Sequence, residues 1–215
     1  IDTSAPVTTC SLNPSSPDGN NGWYVSNVDV TLTVTDDDGI AFTKYRINGG
    51  SWIDYTTTFT ISSDGIYTLE YYSQDNAGNT ESIKSTTIKI DKIAPSSVSD
   101  LHSNTHTPGE YSNINTIEVE WIASTDGTSG LDGYAIAWDS NANTDPTGKD
   151  IEEGVTSLSQ SLSDGTWYFH IRPIDNAGNY GLTSHLGPFY IDTSAPVTTC
   201  SLNPSSPDGN NGWYV

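Results

Sequence analysis

The chain has 215 residues, with 7 Lys plus Arg against 27 Asp plus Glu, and a formal net charge of −20 at pH 7. Such acidity argues against nucleic acid and anionic lipid surfaces as partners, since both would repel it. Strand-forming Val, Ile and Thr, with 12 Tyr and 6 Trp and punctuated by 19 Gly and 11 Pro, predict an all-β chain without an apolar run long enough to span a bilayer.

The first 25 residues, "IDTSAPVTTCSLNPSSPDGNNGWYV", return unchanged at 191–215. A fixed period is a strong organisational signal, and identity without one substitution points to recent duplication rather than to a folding constraint. There is no Met and no signal-type leader. The chain therefore reads as one period of a longer array, 190 residues (191 − 1), plus the start of the next copy. Each copy carries one Cys, Cys10 and Cys200. Cys10 sits two residues before Leu12 in a strand-like run, which predicts that both face inward and that Cys10 is a buried free thiol. An intermolecular disulfide is the alternative.

The next elements follow the period of two. Val28, Val30, Leu32 and Val34 alternate with Asp29, Thr31 and Thr33, the pattern of a half-buried strand. Phe42–Ile47 and Ser51–Tyr55 flank "NGG" as a hairpin, and Thr58–Ile61 is a further short strand. Ile66–Ser73 leads into "DNAGN" (75–79), and Ser82–Ile90 closes the set before "DKIAP" (91–95). The second half runs similarly. Ile117, Val119 and Trp121 alternate before "STDGTSGLDG", and Tyr134, Ile136 and Trp138 alternate after it. Leu158 and Leu162 mark another strand, followed by "DGTWYFHIRPIDNAGN" (164–179), Ser184–Ile191 and "DTSAP" (192–196). The 164–179 stretch echoes "DGIYTLEYYSQDNAGN" (64–79) without a gap. Proline ends each closing strand because it cannot donate to the ladder. About seven short strands per half define tandem antiparallel β-sandwiches, with boundaries expected at 1–92, 93–190 and 191–215.

The motif "VEWIASTDGTSGLDGYAIAWD" together with "DGTWYFHIRPIDNAGN" resembles a prokaryotic fibronectin type III module. The stretches "GWYVSNVDVTLTVTDDDGI", "YRINGGSW" and "DNAGN" resemble the Ig-like, bacterial adhesin-type repeats of large surface proteins. The resemblance implies an extended array of Ig-like followed by fibronectin type III-like sandwiches in an extracellular or cell-surface tandem repeat protein. It also implies a tyrosine-corner role for Gly65–Tyr67 and Gly165–Tyr168, although a Trp precedes the second Tyr and leaves open which ring turns the corner.

Acidic residues gather where such a sandwich receives its chain. Asp2 should approach the loop carrying Asp36, Asp37 and Asp38, and Asp75. Asp91 should approach Asp126, Asp132 and Asp175. Converging carboxylates repel one another unless a counter-cation joins them. Hard oxygen ligands in flexible loops suit Ca²⁺, which takes 6–8 of them, and the adhesin resemblance implies calcium at domain junctions. The metal set expected is Asp2, Asp36, Asp38, Asp75, Asp91, Asp126, Asp132 and Asp175, and the competing reading makes "DNAGN" a turn and nothing more. Trp52 and Tyr55, after "NGG", are a candidate sugar-stacking platform, against which stands a role covering the sandwich edge.

Catalysis is not expected. The four His (102, 106, 170 and 185) fall in separate segments except for "HSNTH", whose spacing aligns ligands only on a helix. Nucleophile-elbow, zincin, P-loop and dinucleotide motifs are missing. The expected function is a structural repeat of an extracellular fibre or adhesin stalk whose length scales with copy number. The alternative is a carbohydrate-binding or accessory module of a secreted glycan-acting enzyme. The partners expected are further copies of the repeat, joined covalently in tandem or head to tail by strand addition, with lateral fibre contacts where cations screen the charge.

Overall fold

The computed structural model describes residues 1–203 and 205–213; Pro204, Tyr214 and Val215, in the second copy of the repeated segment, lie outside the described residues. Fifteen strands carry the fold, and the described residues contain no α-helix, only a 3-10 turn at Asn210–Gly212. Among the described residues no helix is long and apolar enough to cross a membrane.

The first sandwich uses β1 (Val7–Asn13), β2 (Val28–Thr35), β3 (Ile40–Ile47), β4 (Ile53–Asp54), β5 (Phe59–Ile61), β6 (Gly65–Asp75) and β7 (Lys84–Ile90). Its sheets run β1-β2-β5 and β4-β3-β6-β7. The second uses β8 (Ser99–Ser103), β9 (Tyr111–Ser112), β10 (Thr116–Ile122), β11 (Leu131–Asp139), β12 (Ile151–Glu152), β13 (Ser157–Ser161), β14 (Gly165–Asp175) and β15 (Ser184–Ile191). Its sheets run β8-β10-β13 and β12-β11-β14-β15-β9. Because β4 pairs with β3 as β12 pairs with β11, the two sandwiches share one strand order except at β9, which adds a parallel edge strand beside β15 in the second.

Alternation builds each core. Val28, Val30 and Leu32 of β2 meet Leu69 and Tyr71 of β6 and Ile88 and Ile90 of β7 between the sheets of the first sandwich. Ile117, Val119 and Trp121 of β10 meet Phe169 and Ile171 of β14, with Phe189 and Ile191 of β15, in the second. Each such fully buried side chain contributes roughly 1.5–3 kcal/mol of transfer free energy. Leu12 and Cys10 both pack against the first core, as their spacing predicts; Cys10 is half-buried and free, and Cys200 is exposed and free.

Both corners are made by a ring that bonds back to the chain four residues earlier. Tyr67 Oη donates to the Ser63 carbonyl at 2.9 Å. In the second sandwich Trp167, not Tyr168, takes this place, its Nε1 donating to the Ser163 carbonyl at 2.9 Å. The glycines that precede them, Gly65 (φ 145°) and Gly165 (φ 149°), hold matching positive φ values. The aligned "G-x-Y" and "G-x-W" thus serve one geometry with two donors.

Candidate functional site

Each "DNAGN" turn is tied together by its first and last residues. Asp75 Oδ1 accepts from the Asn79 N–H (2.8 Å) and its Oδ2 from Asn79 Nδ2 (2.7 Å). Asp175 and Asn179 repeat the pattern at 2.8 and 2.8 Å. The same Asn amide reaches the incoming linker, Asn79 Nδ2 donating to the Asp2 carbonyl (3.3 Å) and Asn179 Nδ2 to the Asp91 carbonyl (3.0 Å). The second residue of the turn holds the neighbouring loop: the Asn76 N–H donates to the Gly39 carbonyl, and the Asn176 N–H to that of Gly130. One pentapeptide therefore fastens its own hairpin, the linker and the loop between the second and third core strands. Sequence reasoning saw the aspartates here and missed the asparagines; the verbatim pentapeptide in both halves was the available signal.

This fastening gathers two carboxylate triads. Oxygen atoms of Asp2, Asp36 and Asp75 lie within 4.8 Å of one another, as do those of Asp91, Asp126 and Asp175. Asp75, Asp91 and Asp175 are buried, whereas Asp2, Asp36 and Asp126 are partly exposed. Two of the expected ligands lie outside these triads. Asp132 is instead ion-paired with Lys149 at 3.0 Å. Asp38 contributes its main chain, its N–H donating to Asp36 Oδ1 and its carbonyl accepting from Asn76 Nδ2.

The triads differ in how much of their charge the chain itself satisfies. Asp91 Oδ1 accepts from the Ile93 N–H and its Oδ2 from the Ser129 N–H, at 3.1 and 2.9 Å. Asp126 Oδ1 accepts from the N–H groups of Thr128 and Gly130. Asp2 Oδ1 accepts from the Ser4 N–H at 2.8 Å, but Asp2 Oδ2 is a buried atom with no hydrogen-bond partner. For Asp75, burial pushes the carboxyl upward, yet the bonds from Asn79, Gly78 and Ala77 prevail and hold it below its ordinary value. For Asp175, burial again acts first, and with the charge of neighbouring Asp91 it outweighs the Asn179 bonds, so the carboxyl is raised.

The second triad sits in a joint between the sandwiches. Asp91 follows β7 directly and its N–H donates to the Tyr24 carbonyl at 2.9 Å, so the residue still belongs to the first sandwich by its backbone. The first sandwich also sends the loop 18–22 onto the second "DNAGN" turn. The Asn20 N–H donates to the Ala177 carbonyl (2.7 Å), and Asn21 Nδ2 to the Asn176 carbonyl (3.0 Å). Contact is close enough that a Cβ on Gly19 would stand 2.5 Å from the Ala177 oxygen, and one on Gly178 would stand 2.8 Å from Asn20 Nδ2.

Trp52 and Tyr55 do not form a common exposed platform. Tyr55 packs against the first core, and its Oη accepts from the Leu32 N–H at 3.1 Å, bridging the two sheets. Trp52 is partly buried, edge-on to Tyr72 at 4.7 Å, with the Arg46 guanidinium over its ring at 4.5 Å.

No family model and no curated protein sequence matches this chain. Solved structures similar to it include fibronectin type III modules. The fibronectin(III)-like modules of Clostridium thermocellum CbhA align at 13% identity over 85% of this chain and 94% of that one, with a TM-score of 0.43. The FN1–FN3 domains of chicken CNTN1 align at 13% identity over 80% of this chain and 63% of that one, with a TM-score of 0.42. A two-domain fibronectin type III segment of chicken tenascin aligns at 11% identity over 86% and 99%, with a TM-score of 0.38.

Proposed function

We propose that the chain is a non-catalytic structural repeat of an extracellular fibre or adhesin stalk, and that Ca²⁺ bound by its two Asp triads stiffens the junctions between sandwiches. The observation that carries the calcium reading is Asp2 Oδ2, a buried carboxylate oxygen without a protein donor beside two further carboxylates. A hard divalent cation supplies what such an atom lacks, and carboxylates are the ligands it prefers. In the first triad Asp2, Asp36 and Asp75 would hold the ion; in the second, Asp91, Asp126 and Asp175. The stalk reading is supported by the verbatim repeat and by the direct hydrogen bonds from loop 18–22 to the turn 175–179. An ion at Asp91 would tie the end of one sandwich to two loops of the next, converting a hinge into a joint.

The test pairs stability with shape. The double variant Asp91→Asn/Asp175→Asn should lower the melting temperature by several degrees in millimolar calcium and leave it unchanged or raised in EDTA. Equal losses in both media would sink the metal reading. Small-angle scattering of the unmodified chain should show a rigid rod in calcium that loosens in EDTA. A compact particle in both would overturn the stalk and reopen a ligand-binding role.

A further inference from the structure

The four histidines look unrelated in sequence, but strand register brings two of them together. His170 of β14 and His185 of β15 are direct cross-strand partners, so their side chains share one face of the sheet. Their Nδ1 atoms are 2.6 Å apart and their rings are set edge to face, with centroids at 4.9 Å. His170 is wholly buried, and His185 is exposed to solvent.

The far side of His170 is fixed. Its Nε2 lies 3.3 Å from Asp139 Oδ1. Asp139 is itself held, accepting from the Asn141 N–H at 2.8 Å and from Thr144 Oγ1 at 2.7 Å. An acceptor at Nε2 places the proton of the neutral ring there and leaves the Nδ1 lone pair to accept the hydrogen bond from His185 Nδ1–H, a proton that a bound metal ion would replace. A carboxylate behind an imidazole is the outer-shell arrangement that fixes tautomer and ring orientation in histidine–metal sites. On the solvent side, Thr183, just ahead of β15, donates to Asp145. The Thr183 hydrogen bond, and after it the charges of Arg172, His185 and His170, hold the Asp145 carboxyl below its ordinary value against burial. The nearby cation Arg172 is engaged elsewhere, its Nε donating to the Gly181 carbonyl and its guanidinium lying over Tyr180.

We propose that His170 and His185 form a two-imidazole site for a divalent transition-metal cation, with Asp139 positioning His170 and with water completing the shell. Imidazole nitrogen suits Zn²⁺, Ni²⁺ and Cu²⁺, and Cu²⁺ binds most tightly of the three. Metal–nitrogen bonds of about 2.0–2.1 Å at angles of about 90–110° need the two nitrogens roughly 2.9–3.4 Å apart. Rotation of the exposed His185 side chain supplies that widening of less than about 1 Å without moving the buried partner. Nitrogen donors here and carboxylates at the junctions would give the chain two kinds of metal site of different chemistry. The proposal is independent of the calcium reading.

The experiment is titration of the whole chain with Cu²⁺ in excess Ca²⁺, followed by calorimetry and electron paramagnetic resonance. The wild type should bind one tight equivalent showing nitrogen hyperfine coupling. His185→Ala, which removes only the exposed ring, should weaken that equivalent at least tenfold and reduce the nitrogen coupling, while circular dichroism shows the fold intact. Asp139→Asn should weaken it less and broaden the spectrum, because the tautomer is no longer dictated. His102→Ala and Asp91→Asn should leave it unchanged. Wild-type affinity in His185→Ala, a spectrum with oxygen ligands alone, or no tight equivalent in the wild type would each overturn the site.

Discussion

Among single residues, Glu81 is the polar group on which the first sandwich most depends. Its side chain is only 6% exposed and pairs with Lys84 at 2.8 Å. It also accepts from the Thr8 N–H (3.1 Å), the Thr8 hydroxyl and the Ser73 N–H (2.9 Å). It therefore bonds β1 to the opposite sheet, through a cluster that Ser73 and Thr43 extend at 2.9 Å. Removing one member leaves several buried donors unsatisfied, so Glu81→Ala should cost about 3 kcal/mol in urea unfolding of the first sandwich. Burial pushes the Glu81 carboxyl upward, but Lys84 and Thr8 prevail and hold it below its ordinary value. A group with a depressed folded-state pKa stabilises fully above its unfolded value and loses that contribution as pH falls through the folded one. Stability of the first sandwich should therefore decline on acidification below about pH 4.5, and Glu81→Gln should flatten that limb. A decline of unchanged steepness in Glu81→Gln would assign it to other carboxylates.

At the scale of elements, one sequence occupies two states. "VTTCSLN" forms β1 at 7–13, yet the same letters at 197–203 form no strand. The difference lies in the partner. β1 pairs along β2 from Val7↔Thr35 to Asn13↔Asp29, whereas residues 197–203 pair with no strand among the described residues. Strand formation here is a property of the pair, as the dependence of β-propensity on neighbours requires. The two cysteines report it. Burial raises the Cys10 thiol above its ordinary value, whereas Cys200 is exposed. Since the thiolate is the reactive form, a thiol reagent should label Cys200 at least tenfold faster than Cys10 in the native chain and equally fast in urea. Similar native rates would mean that β1 detaches readily.

What could be read from the sequence follows the same division. The alternating runs gave β2, β10 and β11 their place and face, because local period and burial agree in them. The "NGG" hairpin also formed, with Asn48 and Gly49 at φ 51° and 68°, but its second strand is Ile53–Asp54 rather than the expected Ser51–Tyr55, with the Tyr55 N–H still donating to the Thr43 carbonyl of β3. The linker and loop aspartates could be anticipated from sandwich topology. That Asp132 pairs with Lys149 could not, since the lysine arrives from a loop 17 residues away with no periodic signal. His170 and His185 were illegible for the stronger reason that a register shift between Trp167 and Phe169 sets their alignment.

Across the whole molecule, the two "DNAGN" glycines offer a controlled comparison. Gly78 and Gly178 have φ of 94° and 95°, so alanine carries the same left-handed penalty of about 1 kcal/mol at each. A Cβ on Gly78 would meet nothing within 4 Å, whereas one on Gly178 would meet Asn20 across the joint. Gly78→Ala should thus affect stability alone. Gly178→Ala should in addition free the sandwiches from each other, seen as separate rotational correlation times in NMR relaxation. Identical relaxation in the two variants would mean that loop 18–22 does not fix the joint.

Asp91 has a mechanical consequence. Its N–H is bonded to Tyr24, its carboxylate to Ser129 and its carbonyl to Asn179, so this single link between sandwiches is also stitched sideways to three separate segments. Tension pulled along the backbone does not pass from β7 to β8 alone. It divides at Asp91, loading the loop before β11 and the turn after β14 in shear, so these short crosslinks share the force before either sandwich has to unzip.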